Sequence, residues 1–358
     1  MTLNERIEAF SRLGNILIDK DNYQNNNSFP HLSDVLKKWE NCINNEYIYN
    51  SWFIPEFIQE AIKGIIFMLD KDKLQQWTAL YPDLKNKTTS NRIGVIMAGN
   101  IPMVGFHDFL CVLLAGDVFI GKLSSNDKHL LPLLAEILCV IEPRLKKTIV
   151  FTEDKIQSID KIIATGSNNS MRYFDFYFSK YPSILRSHCN SIAILNGNEN
   201  KSDLQALSND ISLYFGLGCR SISKLYVPHG YDFTPLFTHL NRFKPIFEMH
   251  NAYMNNLEYQ KTVHLINRIP FLDQGIWLFK EHTSLASPIS IVHYEYYDKP
   301  HRIYENLAAQ SEELQCKVCY TVKDNDCIGF GQAQYPDLWD YANKKDTIAF
   351  LLENKQSL

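Results

Sequence analysis

The sequence has no marked excess of either charge and no long hydrophobic run. Its formal net charge is -4 over 358 residues and its basic residues form no block, so nucleic acid is not expected as a partner. The most apolar window, residues 109–121, is too short to span a bilayer and contains Asp117. The first residues do not combine a basic region with an apolar stretch, so no signal peptide is expected. These features predict a cytoplasmic protein without an integral membrane segment.

The signature motifs of several enzyme classes are also missing. No G-x-G-x-x-G fingerprint follows a strand pattern, and the partial look-alike at 216–218 follows a helix pattern. There is no G-x-S-x-G elbow, no H-E-x-x-H zinc motif and no P-loop. A standard dinucleotide-binding motif is therefore not supported, and a cysteine remains the candidate for covalent chemistry.

Cysteine is too sparse for a disulfide framework, with eight residues in the whole chain. This number fits a reducing compartment in which most thiols are small core residues. Cys316, Cys319 and Cys327 could belong to a metal site, but no second pair follows at a matching spacing. Residues 317–322 alternate like a buried strand, which is the interpretation that we favour, and no metal is expected.

The pattern of apolar residues changes along the chain, which is long enough for two packed domains. Residues 1–85 have a helical spacing, with an asparagine-rich loop at 22–30, and we predict a helical segment that packs on the next domain. From residue 92 short apolar strands alternate with helical patterns. Strands are predicted at 93–98, 118–121, 148–151, 162–164 and 192–195.

This alternation predicts an α/β fold with a doubly wound parallel sheet at 86–200. Sheets of this kind bind ligands beyond the carboxyl ends of their strands. A second α/β domain is predicted at 201–330, with strands near 225–227, 276–279, 289–293 and 318–322. In the last segment, 331–358, the apolar run at 347–352 is predicted to be a closing strand.

The candidate nucleophile is Cys219, which follows the glycine-rich run 216–218 at a corner between a helix pattern and a strand pattern. Glycine lets the backbone bend sharply, so a thiol here can meet a carbonyl carbon with little steric hindrance. Asn100, Lys122 and the turn Thr165-Gly166-Ser167 all follow strand patterns, so they should lie along one rim of the sheet. Together with the resemblance described next, this order of residues implies thioester chemistry beside a nicotinamide cofactor.

Five segments in this order resemble the aldehyde dehydrogenase superfamily, and within it the acyl-CoA reductases typified by the fatty-acid reductase of bacterial bioluminescence systems. The segments are Ala98-Gly99-Asn100-Ile101-Pro102, the strand and turn at 116–125, Ala164-Thr165-Gly166-Ser167, Gly216-Leu217-Gly218-Cys219 with the strand after it, and Ser287-Pro288-Ile289-Ser290. The resemblance implies an aldehyde-dehydrogenase-like fold in which the first α/β domain binds the cofactor and the second is catalytic.

The resemblance also implies a role for each segment. Cys219 attacks as a thiolate, and Asn100 donates its side-chain amide to the oxyanion beside the backbone N–H of Cys219. Lys122, with Ser124 and Ser125 in the same segment, binds the ribose of the cofactor's adenosine, and the turn Thr165-Gly166-Ser167 covers the cofactor. Without the resemblance, Asn100 could be an ordinary turn asparagine before proline, and a solvated lysine at the end of a strand would be the favoured interpretation of Lys122.

Three departures from the superfamily pattern refine the expected chemistry. Leu185 stands where aldehyde-oxidising members have a water-activating glutamate, so a thioester should survive hydrolysis, although His188 nearby could act as a base. Ser125 replaces a glutamate that pairs with the ribose 2′-hydroxyl of NAD, so we expect NADPH over NADH. The run 285–288 lacks the carboxylate that anchors the nicotinamide ribose in the superfamily.

These features predict an acyl-CoA reductase that converts a fatty acyl thioester, carried by CoA or a carrier protein, to the aldehyde through an acyl-Cys219 intermediate. Two alternatives remain open. One is a cysteine acyltransferase that performs no hydride transfer, and the other is a catalytically silent protein of the same fold that serves as an interaction partner. The resemblance also implies a homo-oligomer, for which the predicted C-terminal strand offers an edge.

Overall fold

The computed structural model describes residues 1–24, 30–320 and 327–353. Parts of the predicted loop at 22–30, of the predicted strand at 318–322 and of the C-terminal segment lie outside the described residues. In the described part the helices are α1 Leu3–Ile18, α2 Lys20–Gln24, α3 Pro30–Asn45, α4 Pro55–Met68, α5 Lys71–Ala79, α6 Asp83–Asn86, α7 Phe106–Leu114, α8 Leu130–Ile141, α9 Asn168–Phe178, α10 Lys201–Ser212, α11 Thr234–Leu240, α12 Lys244–Glu248, α13 Asn251–Ile266, α14 Pro300–Ala308 and α15 Thr347–Leu352. The strands are β1 Arg92–Ile96, β2 Val118–Lys122, β3 Ile149–Thr152, β4 Lys161–Thr165, β5 Ser183–Arg186, β6 Asn190–Ile194, β7 Ile222–Pro228, β8 Leu272–Asp273, β9 Leu278–Glu281, β10 Ile291–Tyr297, β11 Leu314–Cys319 and β12 Cys327–Ile328.

The chain divides into two compact units. The first comprises Met1–His188 and Pro336–Leu358, and the second comprises Cys189–Tyr335. The boundary between the two units lies after His188, whereas the sequence pattern placed it after residue 200. The C-terminal segment belongs to the first unit. Within the described residues, no helix is both long and apolar enough to cross a bilayer.

The sheet of the first unit has five parallel strands in the order β3-β2-β1-β4-β5. Four of them are strands that the sequence pattern predicts, but the fifth is β5, which the pattern does not predict. The predicted strand at 192–195 is β6 and belongs to the second sheet. The chain moves from β1 to β2 and β3 on one side and returns to β4 on the other, so the strand order reverses between β1 and β4.

The N-terminal helices share a hydrophobic core with this sheet. α1 begins with a capping box, in which the Glu5 N–H donates to Thr2 Oγ1 over 3.3 Å and the Thr2 N–H donates to Glu5 Oε2 over 2.6 Å. Its apolar face is buried against helices α4, α5, α7 and α8 of the same unit, with Phe10 and Leu13 fully buried. The predicted helical character of this segment is confirmed for the residues of 1–85 that the structure describes.

The second unit contains a seven-stranded sheet in the order β12-β11-β6-β7-β10-β9-β8. All neighbours are parallel except β8 and β9, which are antiparallel. The central strands β6 and β7 are almost wholly buried, which explains their near-continuous apolar sequences.

The predicted closing strand at 347–352 is wrong, because these residues form α15. Asp346 caps the helix by accepting the Ala349 N–H over 2.8 Å, and Lys161 donates to the backbone carbonyls of Phe350 and Glu353 at the other end. A six-residue apolar run has no periodicity that separates a strand from a buried helix. The subunit-pairing edge predicted at this strand is therefore not present.

Candidate active site

Asn100 lies in the loop after β1, at the carboxyl edge of the first sheet, and its side chain is exposed. Its neighbour Gly99 packs directly on the loop after β2. A Cβ atom on Gly99 would lie 2.7 Å from Ser124 Cβ and 3.2 Å from Asn126 Cβ. A larger residue at position 99 would separate the two loops, so glycine is required by this close approach.

Lys122 ends β2, and its side chain is half-buried. Its backbone carbonyl accepts the Met97 N–H over 3.2 Å, which joins the starts of the two loops. Among the described residues its ammonium has no hydrogen-bond or ion-pair partner. Ser124 is half-buried and accepts the Asn126 N–H over 3.2 Å, whereas Ser125 is exposed.

The predicted turn Thr165-Gly166-Ser167 connects β4 to α9. Ser167 is the N-cap of α9, and its Oγ accepts the Ser170 N–H over 3.3 Å. The Gly166 N–H donates to the Arg186 carbonyl on β5 over 3.1 Å. A Cβ atom on Gly166 would lie 2.9 Å from Ser170 Cβ, so the turn leaves room only for glycine.

These three segments follow β2, β1 and β4, which are neighbouring parallel strands, so they share the carboxyl edge of the sheet. Two of them flank the point where the strand order reverses, which is where open α/β sheets form their ligand crevice. The predicted placement of Asn100, Lys122 and the turn at 165–167 along one rim is confirmed.

Cys219 lies in the second unit, between a distorted helical turn at Leu213–Gly216 and β7. Tyr214, Phe215 and Gly216 all have left-handed backbones, with φ values of 56°, 55° and 74°. This conformation is rare for residues other than glycine and stores strain. Phe215 is fully buried against the rings of Phe247, His250 and Tyr253, and this packing holds the sharp turn into the nucleophile segment.

Three hydrogen bonds fix the backbone around Cys219. The buried Ser191 Oγ donates to the Cys219 carbonyl over 2.9 Å, and the Ser221 N–H donates to the Gly218 carbonyl over 3.0 Å. Arg220 Nε donates to the Ala333 carbonyl over 2.6 Å. The Cys219 side chain is half-buried, and its segment precedes β7, at the amino end of this strand.

The other thiols are less suited to nucleophilic attack. Cys189 is buried, and its Sγ donates to the Glu312 carbonyl over 3.3 Å. The thiolate is the reactive form, and burial raises the pKa of four further cysteines and so disfavours it. These are Cys42, where the pKa rises to about 12, Cys111, Cys139 and Cys316.

Cys319 and Cys327 are joined in a disulfide with Cα atoms 5.7 Å apart, which differs from the expectation of reduced thiols. They lie on the parallel strands β11 and β12, where Cys327 pairs in register with Lys317, two residues before Cys319, and the sequence spacing alone does not reveal this pairing. No group of histidine, cysteine, aspartate or glutamate side chains in the described ranges is arranged to hold a metal ion.

Two of the positions that depart from the expected pattern, Leu185 and Leu285, make structural contacts. Leu185 is half-buried in β5, and its carbonyl accepts from Lys345 Nζ over 2.6 Å. His188 is exposed at the end of the first unit. Leu285, in the run that lacks the carboxylate, is buried, and its carbonyl accepts from Ser223 Oγ over 2.8 Å.

Sequence reasoning missed three buried polar residues beside these segments: Asp127, Ser191 and Asp210. Asp210 accepts the N–H groups of Gly331 and Ala333, over 2.6 and 3.1 Å, and so supports the segment that Arg220 contacts. Burial raises the pKa of Asp210 and of Asp127 to about 7 in each case. Their short polar side chains resemble surface residues in the sequence, so no signal there distinguishes them.

The chain matches a known protein family over most of its length. The family model described as acyl-CoA reductase (LuxC) matches residues 3–235, which include Asn100, Lys122 and Cys219. No curated protein matches the chain.

Several solved structures that are similar to the chain are aldehyde dehydrogenases. Aldehyde dehydrogenase 21 of Physcomitrella patens, in complex with the product succinate, has a TM-score of 0.60 at 13% identity, covering 91% of this chain and 74% of that one. The Mycobacterium tuberculosis aldehyde dehydrogenase complexed with NAD+ has a TM-score of 0.57 at 13% identity, covering 90% and 74%. The P. syringae indole-3-acetaldehyde dehydrogenase AldA has a TM-score of 0.59 at 10% identity, covering 91% and 78%. The predicted aldehyde-dehydrogenase-like α/β fold is confirmed.

Proposed function

Because the chain belongs to the acyl-CoA reductase (LuxC) family, we propose that it reduces a fatty acyl-CoA to the aldehyde with NADPH through an acyl-Cys219 thioester. Membership of the family makes it an oxidoreductase that acts on acyl groups. The observation that carries the proposal is the family match over residues 3–235, which spans all the candidate residues.

In the proposed first half-reaction, the Cys219 thiolate attacks the thioester carbonyl of the substrate. The Asn100 amide and a backbone N–H stabilise the oxyanion that forms, and collapse expels the CoA thiolate, which takes up a proton. One thioester is exchanged for another, so this step is nearly isoenergetic and depends on orientation and on oxyanion stabilisation. The hydrogen bonds that Ser191 and Arg220 make in the segment of Cys219 support this role, because they favour one backbone conformation there.

The residues of the first unit fit a nicotinamide dinucleotide. The Lys122 ammonium has no partner among the described residues. The tight turn at Gly166 and Ser167 leads into α9, and the N–H groups at the N-terminus of this helix favour binding of a phosphate. When bound, the cofactor would supply the hydride that converts the acyl thioester to the aldehyde and leaves Cys219 as the thiolate. Leu185 offers no carboxylate to activate water, which favours reduction over hydrolysis.

The proposal predicts that purified protein oxidises NADPH in step with aldehyde formation when it is given long-chain acyl-CoAs. The measurement is absorbance at 340 nm with a panel of chain lengths, with CoA release followed in parallel. CoA release without NADPH oxidation, together with acyl label on Cys219, would instead indicate the acyltransferase. Absence of both label and oxidation would leave the catalytically silent protein as the better description.

We predict that Ser125→Glu raises the KM for NADPH about tenfold or more while it lowers or leaves unchanged the KM for NADH. A carboxylate at this exposed position would repel the 2′-phosphate of NADPH and accept a hydrogen bond from the 2′-hydroxyl of NADH. The control is Ser125→Gln, because glutamine is nearly the same size as glutamate but carries no charge. This variant should keep the wild-type preference for NADPH over NADH. Direct binding of both cofactors, measured by fluorescence titration, checks the result independently of turnover. Equal effects of the two variants on NADPH binding would contradict the assignment.

A further inference from the structure

A buried carboxyl joins the loop that carries Asn100 to the loop that carries Ser124 and Ser125. Asp127 is 6% exposed, and the Met103 N–H donates to its Oδ2 over 2.7 Å. Its other oxygen, Oδ1, has no hydrogen-bond partner among the described residues. A carboxyl is costly to bury with a single donor, so its presence here calls for a role beyond filling space.

The Met103 N–H belongs to a strained part of the loop after β1. Met103 has a left-handed backbone with a φ of 53°, which is unfavourable for a residue that carries a Cβ atom. Such conformations persist only where surrounding contacts hold them. The hydrogen bond to Asp127 is one of these contacts. The packing of Gly99 on Ser124 and the hydrogen bond from the Met97 N–H to the Lys122 carbonyl also join the same two loops.

Asp127 is itself held firmly. Its backbone N–H donates to the Ser124 carbonyl over 3.2 Å, closing a tight turn, and Asn50 Nδ2 donates to the carbonyl of the neighbouring Asn126 over 3.0 Å. The acceptor for Met103 is therefore part of a turn anchored to the rest of the first unit.

We propose that Asp127 is a positioning residue that holds the loop of Asn100 in the conformation needed for oxyanion stabilisation, acting through the Met103 N–H. The proposal rests on the proposed role of Asn100. It also implies that the loop of Asn100 and the loop of Ser124 and Ser125 move together, since the turn at 124–127 holds both of them.

The acylation of Cys219 by an acyl-CoA, followed by mass spectrometry of the intact protein, measures this function without the cofactor. Asp127→Ala removes the acceptor and should slow acylation by about 10- to 100-fold, since small displacements of an orienting group have effects of this size. Asp127→Asn keeps an oxygen for the Met103 N–H, and burial already favours the neutral form of this carboxyl, so the rate should stay within about threefold of wild type.

A double-mutant cycle with Asn100→Ala separates positioning from a general structural effect. If Asp127 acts through Asn100, Asp127→Ala should change the rate less than about twofold in the Asn100→Ala background. Full additivity, or loss of activity in Asp127→Asn equal to that in Asp127→Ala, would overturn the positioning role. An unchanged rate in Asn100→Ala alone would instead overturn the proposed role of Asn100, and the positioning role with it.

Asp117→Asn serves as the matched control. Asp117 is also buried and also accepts a backbone N–H, that of Asn91 over 2.8 Å, but it lies just before β2, at the opposite end of the strand from the rim. It should lower thermal stability without slowing acylation. Amide hydrogen exchange gives a second measurement: exchange at Met103 should accelerate in Asp127→Ala and not in Asp127→Asn, and equal protection in both would contradict the proposal.

Discussion

Replacing Cys219 by alanine is expected to abolish both acyl labelling and aldehyde formation, with a loss of about 10⁴-fold or more. The variant removes the atom that forms the covalent bond, so no other group can compensate at this position. The measurement is the burst of CoA release in a single turnover, together with NADPH oxidation in the steady state. Folding should be unaffected, since the half-buried side chain is replaced by a smaller one.

Two other cysteines provide matched controls for this variant. Cys316 lies in the same unit, and its Sγ donates to Ser191 Oγ over 3.1 Å, the same hydroxyl that binds the Cys219 carbonyl. Burial raises the pKa of the Cys316 thiol, so Cys316→Ala should still be acylated. Cys189→Ala should likewise retain labelling. If the acyl label persisted in Cys219→Ala and disappeared in Cys316→Ala, the nucleophile would be Cys316, and the assignment of Cys219 would be wrong.

The sequence pattern predicted the rim of the first sheet well because it depends on local features. Each of Asn100, Lys122 and Thr165 follows an apolar strand, and the carboxyl ends of parallel strands must share an edge. The corner that carries Cys219 was likewise predictable from its glycines. These predictions need only the order of strands and helices, which apolar periodicity indicates.

The features that sequence reasoning missed depend on contacts between distant segments. The short strand β5 and the strand β6 follow each other closely, and only pairing with β4 or β7 decides which sheet each one joins. The run at 347–352 is helical because Asp346 and Lys161 satisfy its two ends, and Lys161 is far away in sequence. The burial of Asp127 likewise arises from packing, not from its neighbours in sequence.

The largest expected effect on stability is at the ion pair between Asp108 and Arg186, both buried in the first unit. Arg186 Nη1 donates to the two oxygens of Asp108 over 2.8 and 2.7 Å, and its Nη2 donates to Thr347 Oγ1 over 2.6 Å. We expect Asp108→Ala to destabilise the first unit by about 3–5 kcal/mol, because the guanidinium would remain buried without its counter-charge.

A control and a second readout connect this loss of stability to the candidate site. Lys71→Ala breaks an exposed ion pair with Glu8 and should change the unfolding free energy by less than about 1 kcal/mol. Asp108→Ala should lower the midpoint of thermal unfolding by roughly 6–20 °C, at about 2–4 °C per kcal/mol. The Arg186 carbonyl accepts the Gly166 N–H over 3.1 Å, so cofactor binding should weaken as well. A midpoint within the range of the Lys71→Ala control would contradict the prediction, and the pair would then contribute to specificity of folding instead of to stability.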